Sequence, residues 1–211
     1  MTGDLLARVW PHAEDLLHRI DAQVRIDGAP ADHPVWDLVR RVGALPSAAI
    51  EHFLWLEPAP LLRARDQMLG EAESARAALS QVRGVAWDGA GADAFRDRWA
   101  GLAEFADGAD QRFVATAEFL ADVVRWMQHS RDELAIEMAA CLGSREAMAI
   151  KVDLDHRTAA ADLAERILAA AASCLDQGWD VRTRWADRLG EVPWREPSAP
   201  GVVSVTHLEV R

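Results

Sequence analysis

The sequence predicts an all-α, elongated helical bundle built on an antiparallel helical hairpin, with short N-terminal helices and a third long C-terminal helix. Three observations predict it. Alanine, leucine, arginine and glutamate fill the segments between a few clusters of glycine and proline, which favours helix. From Ala92 to Leu134 the residues at Ala92, Phe95, Trp99, Leu102, Ala106, Ala109, Phe113, Thr116, Leu120, Val123, Met127, Ser130 and Leu134 keep a 3.5-residue repeat, the pattern of a helix–helix seam. A second periodic segment, Leu61 to Val82, precedes it, and Trp87-Asp88-Gly89 lies between the two.

In chain order, Leu5, Leu6, Val9, Leu16, Leu17, Ile20 and Val24 place a helix over about 4–26, which Pro11 is expected to kink or restart. Asp27-Gly28-Ala29-Pro30 ends it. Pro34 opens a short amphipathic helix through Val35, Trp36, Leu38, Val39 and Val42, and Gly43 closes it. Pro46 opens another, through Ile50, Phe53, Leu54 and Leu56, and Pro58-Ala59-Pro60 marks the best internal boundary. These elements, 1–58, are expected to pack on the hairpin, 59–143, as an added layer. Gly101 and Gly108 weaken the long helix locally, while Phe105, Phe119 and Trp126 form a second stripe, so more than one face is covered. Gly143-Ser144 stops it; 148–154 is ambiguous between helix and a short extended piece. A third long helix occupies 144–192, with Ala160, Leu163, Ile167, Ala170, Cys174 and Val181 on one seam, and 193–211 reads as a tail.

Half of the 211 residues are hydrophobic and the net charge is −11. That supports a sizeable core and argues against a protein that neutralises phosphates. Residues 35–56 imitate a helix-turn-helix, but Ser47 to Glu57 carries no Arg or Lys, so no nucleic acid is expected. No apolar run approaches the roughly 18–20 residues of a membrane span. The first residues lack the pattern of a cleaved signal, so the expected compartment at synthesis is the cytoplasm. Cys141 and Cys174 have no metal-knuckle spacing and read as small core residues. His129 and Glu133 read as an i,i+4 surface pair, and Asp153-Leu-Asp155-His156 as a helix cap. No phosphate loop, nucleophile elbow or His-Glu-x-x-His occurs. Neither enzyme activity nor a metal or cofactor is expected.

The segment Trp87-Asp88-Gly89-Ala-Gly-Ala92-Asp93-Ala94-Phe95-Arg-Asp-Arg-Trp99 resembles the WXG superfamily of helical hairpins of bacterial type VII (Esx) secretion. In that family Trp-x-Gly sits in the turn, and small residues with a phenylalanine open the second helix. Independently of the family, a reversal between long helices favours Gly89, and an open apolar seam favours a bulky cap such as Trp87. An acidic residue, Asp88 or Asp93, is favoured at the start of the second helix. The resemblance covers about residues 61–142. It implies a partner-binding face at Trp87, Asp88, Gly89, Phe95 and Trp99, and a partner that is another helical chain: a second copy, a heterodimer mate or a type VII effector. It also implies a secreted substrate or co-secreted partner. The family's Tyr-x-x-x-Asp/Glu signal is missing, since the chain contains no tyrosine. Export is therefore expected to depend on a partner, and the alternative is a cytoplasmic adaptor or chaperone for a cognate effector. An all-α ligand-binding regulator or enzyme is the third reading.

Overall fold

Prolines and glycines set most helix limits in the computed structural model, which describes residues 3–26, 28–81, 88–152 and 156–191. All regular structure among these residues is helical: α1 (Leu5–Ile26), α2 (Val35–Val42), α3 (Pro46–Leu54), α4 (Pro58–Gln81), α5 (Ala90–Leu142), α6 (Arg145–Lys151) and α7 (His156–Glu191). Pro34, Pro46 and Pro58 sit at or beside first helical positions, where a missing N–H costs nothing. Gly43, at φ 73°, ends α2 by donating its N–H to the Val39 carbonyl. Ser144 caps α6 by accepting from Ala147 N–H at 3.1 Å.

Three details differ from the sequence reading. Pro11 lies inside an unbroken α1 and starts no new helix. Pro58-Ala59-Pro60 forms the first turn of α4 rather than the stop of α3. The ambiguous stretch begins as helix α6, so 144–192 holds two helices and not one. The tail lies outside the described residues, as does the Trp87 position.

Two hydrogen-bond sets fix the direction of α4 along α5. Arg131 of α5 reaches the carbonyl of Leu56, just ahead of α4, and Asp110 pairs with Arg76 at 2.6 Å. Numbers rise along α4 as they fall along α5, so the pair is antiparallel, as the hairpin reading expects. Continuing that register sets Gln81 level with about residue 105, so the first ~15 residues of α5, about 22 Å, run past the end of α4. Helix α7 is antiparallel to α5 as well, through Glu137–Arg166, Asp122–Trp185 and Glu118–Arg188. Its last residue lies level with about residue 115.

Burial concentrates at the other end. The continuous core is built by α1, α2, α3, α6, α7 and the C-terminal part of α5, with Leu6, Leu17, Ile20, Ile50, Leu134, Met138, Leu163, Ile167 and Leu168 almost fully enclosed. No α4 residue belongs to that core. The N-terminal helices thus pack on α5 and α7 and contribute to the continuous core. The heptad positions Phe113, Thr116, Leu120, Val123 and Met127 are only half-buried, while Ala117 and Val124, on one i,i+7 stripe with Asp110 and Arg131, are buried. Helix α5 has two neighbours here, α4 and α7, so the expected seam lies between two real ones.

Arg131 is the densest polar junction. Its Nη1 donates to the carbonyls of Phe53, Leu54 and Leu56 at 2.5, 3.0 and 3.2 Å, and its Nη2 pairs with Asp4. Burial pushes the Asp4 carboxyl up, but the hydrogen bond and charge of Arg131 and the N–H of Ala7 outweigh it and hold it below its usual value. Arg131→Ala should lower stability by about 3–5 kcal/mol, because it strands buried acceptors. Asp4→Asn, at a more exposed partner, should cost about 1 kcal/mol or less. Urea melts of both variants check this.

Asp21 of α1 accepts from Ser47 Oγ at 2.5 Å and Ser47 N–H at 3.4 Å, supplying the cap that Leu45 cannot give α3. Burial raises the Asp21 carboxyl above its ordinary value of 3.8 despite those bonds and the nearby charges of Arg25 and His18. Folding therefore favours the protonated acid. That stabilisation is complete below the ordinary value and is lost as pH rises through the folded one. Asp4 acts oppositely, losing its contribution as pH falls through its lowered value. Asp21→Asn should stay within about 1 kcal/mol of wild type at pH 7 and lose part of the decline in stability above pH 4, whereas Asp21→Ala should cost about 1–3 kcal/mol. Stability measured from pH 3 to 8 decides it.

Candidate functional site

The start of α5 carries four of the five residues singled out by the motif. Asp88 and Gly89 are exposed immediately before the helix, and Phe95 and Trp99 follow on its second and third turns. Trp87 lies outside the described residues. Gly89 adopts φ 107° and ψ 178°, a region open essentially to glycine, and its carbonyl accepts from Ala92 and Asp93 N–H at 2.8 and 3.1 Å. A Cβ there would meet no atom within 4 Å, so the requirement is backbone conformation and not space. Asp93 lies in the first turn, where the helix dipole favours an acid, and pairs with Arg96 at 2.7 Å.

Phe95 and Trp99 stack with ring centroids 6.2 Å apart and planes 11° from parallel. With Leu102 they form an apolar stripe in which Trp99 is half-buried while Phe95 is 37% and Leu102 49% accessible. Ala92, at the head of the stripe, is fully enclosed. In the register above, the described residues of α4 and α7 end short of this stripe, and residues 82–87, which join α4 to α5, lie outside the described residues. A partly exposed aromatic–aliphatic stripe in coiled-coil register suits contact with another helix.

Two other clusters were not legible in the sequence. His33, Asp162 and Glu165 bring ligand atoms within 4.8 Å of one another, with His33 Nε2 at 3.2 Å from Asp162 and 3.9 Å from Glu165. Val35 N–H, however, donates to His33 Nδ1 at 3.2 Å. A neutral ring accepting at Nδ1 carries its proton on Nε2, where it faces the carboxylates. A metal-bound histidine normally donates from its second nitrogen, so the arrangement fits a clamp between α2 and α7 better than a metal centre. The second cluster is an open groove of about 340 Å³ between α5 and α7, floored by Trp126 and edged by Arg125, Arg184 and His129. Its charges are already paired: Arg125 and Arg184 with Asp122, His129 with Glu133 at 3.2 Å. The His129–Glu133 pair is thus the surface pair expected from its spacing.

Cys141 and Cys174 are buried and unbridged, as expected of core residues. Burial pushes their thiols up to about 12 and about 11, with Glu137 adding to it at Cys141 and Glu133 at Cys174. Such thiols are poor nucleophiles. Among the described residues, no helix is long and apolar enough to cross a membrane.

The class these features define, among the described residues, is an all-helical bundle. No protein-family model, curated protein or solved structure matches the chain.

Stability separates the start of α5 from the core. Trp185 is enclosed, donates its indole N–H to Asp122 at 2.8 Å and packs on Phe119; Trp185→Ala should cost about 3–5 kcal/mol. Trp99→Ala should cost nearer 1 kcal/mol. Gly89→Ala should add about 1–3 kcal/mol of local strain, loosening the first turns of α5 while leaving the main unfolding transition in place. Chemical denaturation with amide exchange on the three variants checks the ranking.

Proposed function

We propose that this chain is a non-enzymatic, type VII secretion-associated protein that binds another helical chain along the first turns of α5. The observation that carries the reading is the stacked Phe95–Trp99 pair, continued by the exposed Leu102, on the first turns of α5. The motif resemblance supports it: Asp88, Gly89, Phe95 and Trp99 lie together at the start of that helix. Trp87 completes the motif in sequence. The charge of −11 also suits a protein partner better than nucleic acid.

The absence of tyrosine favours a second version of the same reading. A chain that cannot present the family's tyrosine signal is either carried out by a partner that has one, or stays behind as an adaptor for an effector. Both versions use the same face.

The experiment is co-expression with the small helical proteins encoded beside the gene, followed by calorimetric titration of any chain that co-purifies. Trp99→Ala should weaken binding by at least 30-fold, about 2 kcal/mol. Trp179→Ala, an exposed tryptophan on α7, should leave it unchanged. Wild-type affinity in Trp99→Ala would remove the stripe from the interface.

A further inference from the structure

We propose that α4 is a weakly held strap: a helix that opens from α5 by local unfolding while the rest of the bundle stays folded. Burial makes the first case for it. Helix α1 encloses seven residues and contributes six hydrophobic ones to the core, whereas the longer α4 encloses Ala72 alone and contributes none. An alanine methyl buries little area, and hydrophobic stabilisation scales with area. The larger apolar residues of α4, Leu61, Leu62, Met68 and Leu79, are only half-buried, and Leu69 is exposed. The Arg76–Asp110 pair that ties α4 to α5 uses a half-exposed arginine, and such pairs hold weakly.

The ends of the strap make the second case. Arg131 holds the carbonyls of Phe53, Leu54 and Leu56, and α4 begins two residues later at Pro58. The chain is therefore pinned up to the start of α4, and its other end joins α5 through residues 82–87, which lie outside the described residues. Opening α4 breaks none of the Arg131 contacts and uncovers only Ala72, Ala117 and Val124 among the enclosed apolar residues.

Opening has a consequence for the long helix. The face under α4 includes Ala117 and Val124, and it continues the stripe of Phe95, Trp99 and Leu102. Without α4, that stripe extends from about residue 92 to about residue 127, near 50 Å of helix. The use of this longer face by a partner rests on the proposed function; the opening of α4 does not.

Amide hydrogen exchange on the full chain tests the strap. Amides of 64–79 should exchange at least ~100-fold faster than those of 16–24 in α1 and 160–174 in α7, since elements outside the core open locally. Ala72→Arg, which removes the one enclosed contact, should speed exchange in α4 further and leave α1 and α7 as in wild type. Equal protection of α4 and α1 in the wild-type chain overturns the proposal. So does an Ala72→Arg chain in which α1 and α7 lose protection together with α4. Neither result depends on whether Trp99→Ala binds a partner.

Discussion

The placement of Arg131 constrains most of the molecule. One guanidinium, buried in the last quarter of α5, satisfies carbonyls at and just after the end of α3 and the carboxylate ahead of α1. Those carbonyls are the acceptors that a helix end leaves without partners, and α3 stops at Leu54 with a tryptophan and two leucines around it, none of which can cap it by side chain. A planar fork with five donors can serve several acceptors at once, where a lysine ammonium offers only a point charge and three. The cost of burying the charge is offset by the three carbonyls at Nη1 and the carboxylate at Nη2. From this one residue follow the position of α1 beside α5, the end of α3 and the place where α4 begins.

A second constraint closes the other side of α5. Trp126 lies against α7, donating its indole N–H to the Cys174 carbonyl at 2.7 Å, and packs edge-on to Phe53 at 6.5 Å. A Cβ at position 178 would come within 2.7 Å of the Trp126 ring, so glycine is required there by space rather than by backbone conformation. The neighbouring turns of α7 are lined with enclosed alanines, among them Ala160, Ala161, Ala164, Ala171 and Ala172. Small residues bring helix axes close and let large ones on the facing helices fill the space. The alanine content that marks α7 as helix in the sequence is thus also what lets α1, α2 and α5 pack around it.

The helical class and several helix limits were legible because their signals are local: Gly43 and Pro46 act within a few residues. Pro58-Ala59-Pro60 and Ser144 were read as stops, because a proline cluster or a capping serine can equally open the next helix. The distribution of burial was not legible. A heptad read from one strand of sequence assumes one partner, but α5 runs between α4 and α7, so burial splits into two stripes on either side of the expected seam. The polar junctions were equally hidden, since Asp4 and Arg131 are 127 residues apart, and His33 and Asp162 are 129 apart. Nothing in either neighbourhood marks the partner. Of the candidate site, the position of Gly89 and the Phe95–Trp99 spacing were visible, because both are matters of local backbone and helical period. That the described residues of α4 and α7 end short of that stripe depends on a register that only the packed structure fixes.

Helix α5 therefore carries two kinds of information along one 53-residue rod. Its last third is specified by enclosure, with Leu134, Ala135, Met138 and Cys141 buried among five other helices. Its first third is specified by amphipathicity alone, with aromatic residues in seam register and Asp93, Arg96, Asp97 and Arg98 between them. A helix that short gains little from propensity and is marginal by itself in water. Here it is carried as the continuation of a helix already nucleated in the core, with Ala92 enclosed at its head and Phe95 and Leu102 exposed beyond it.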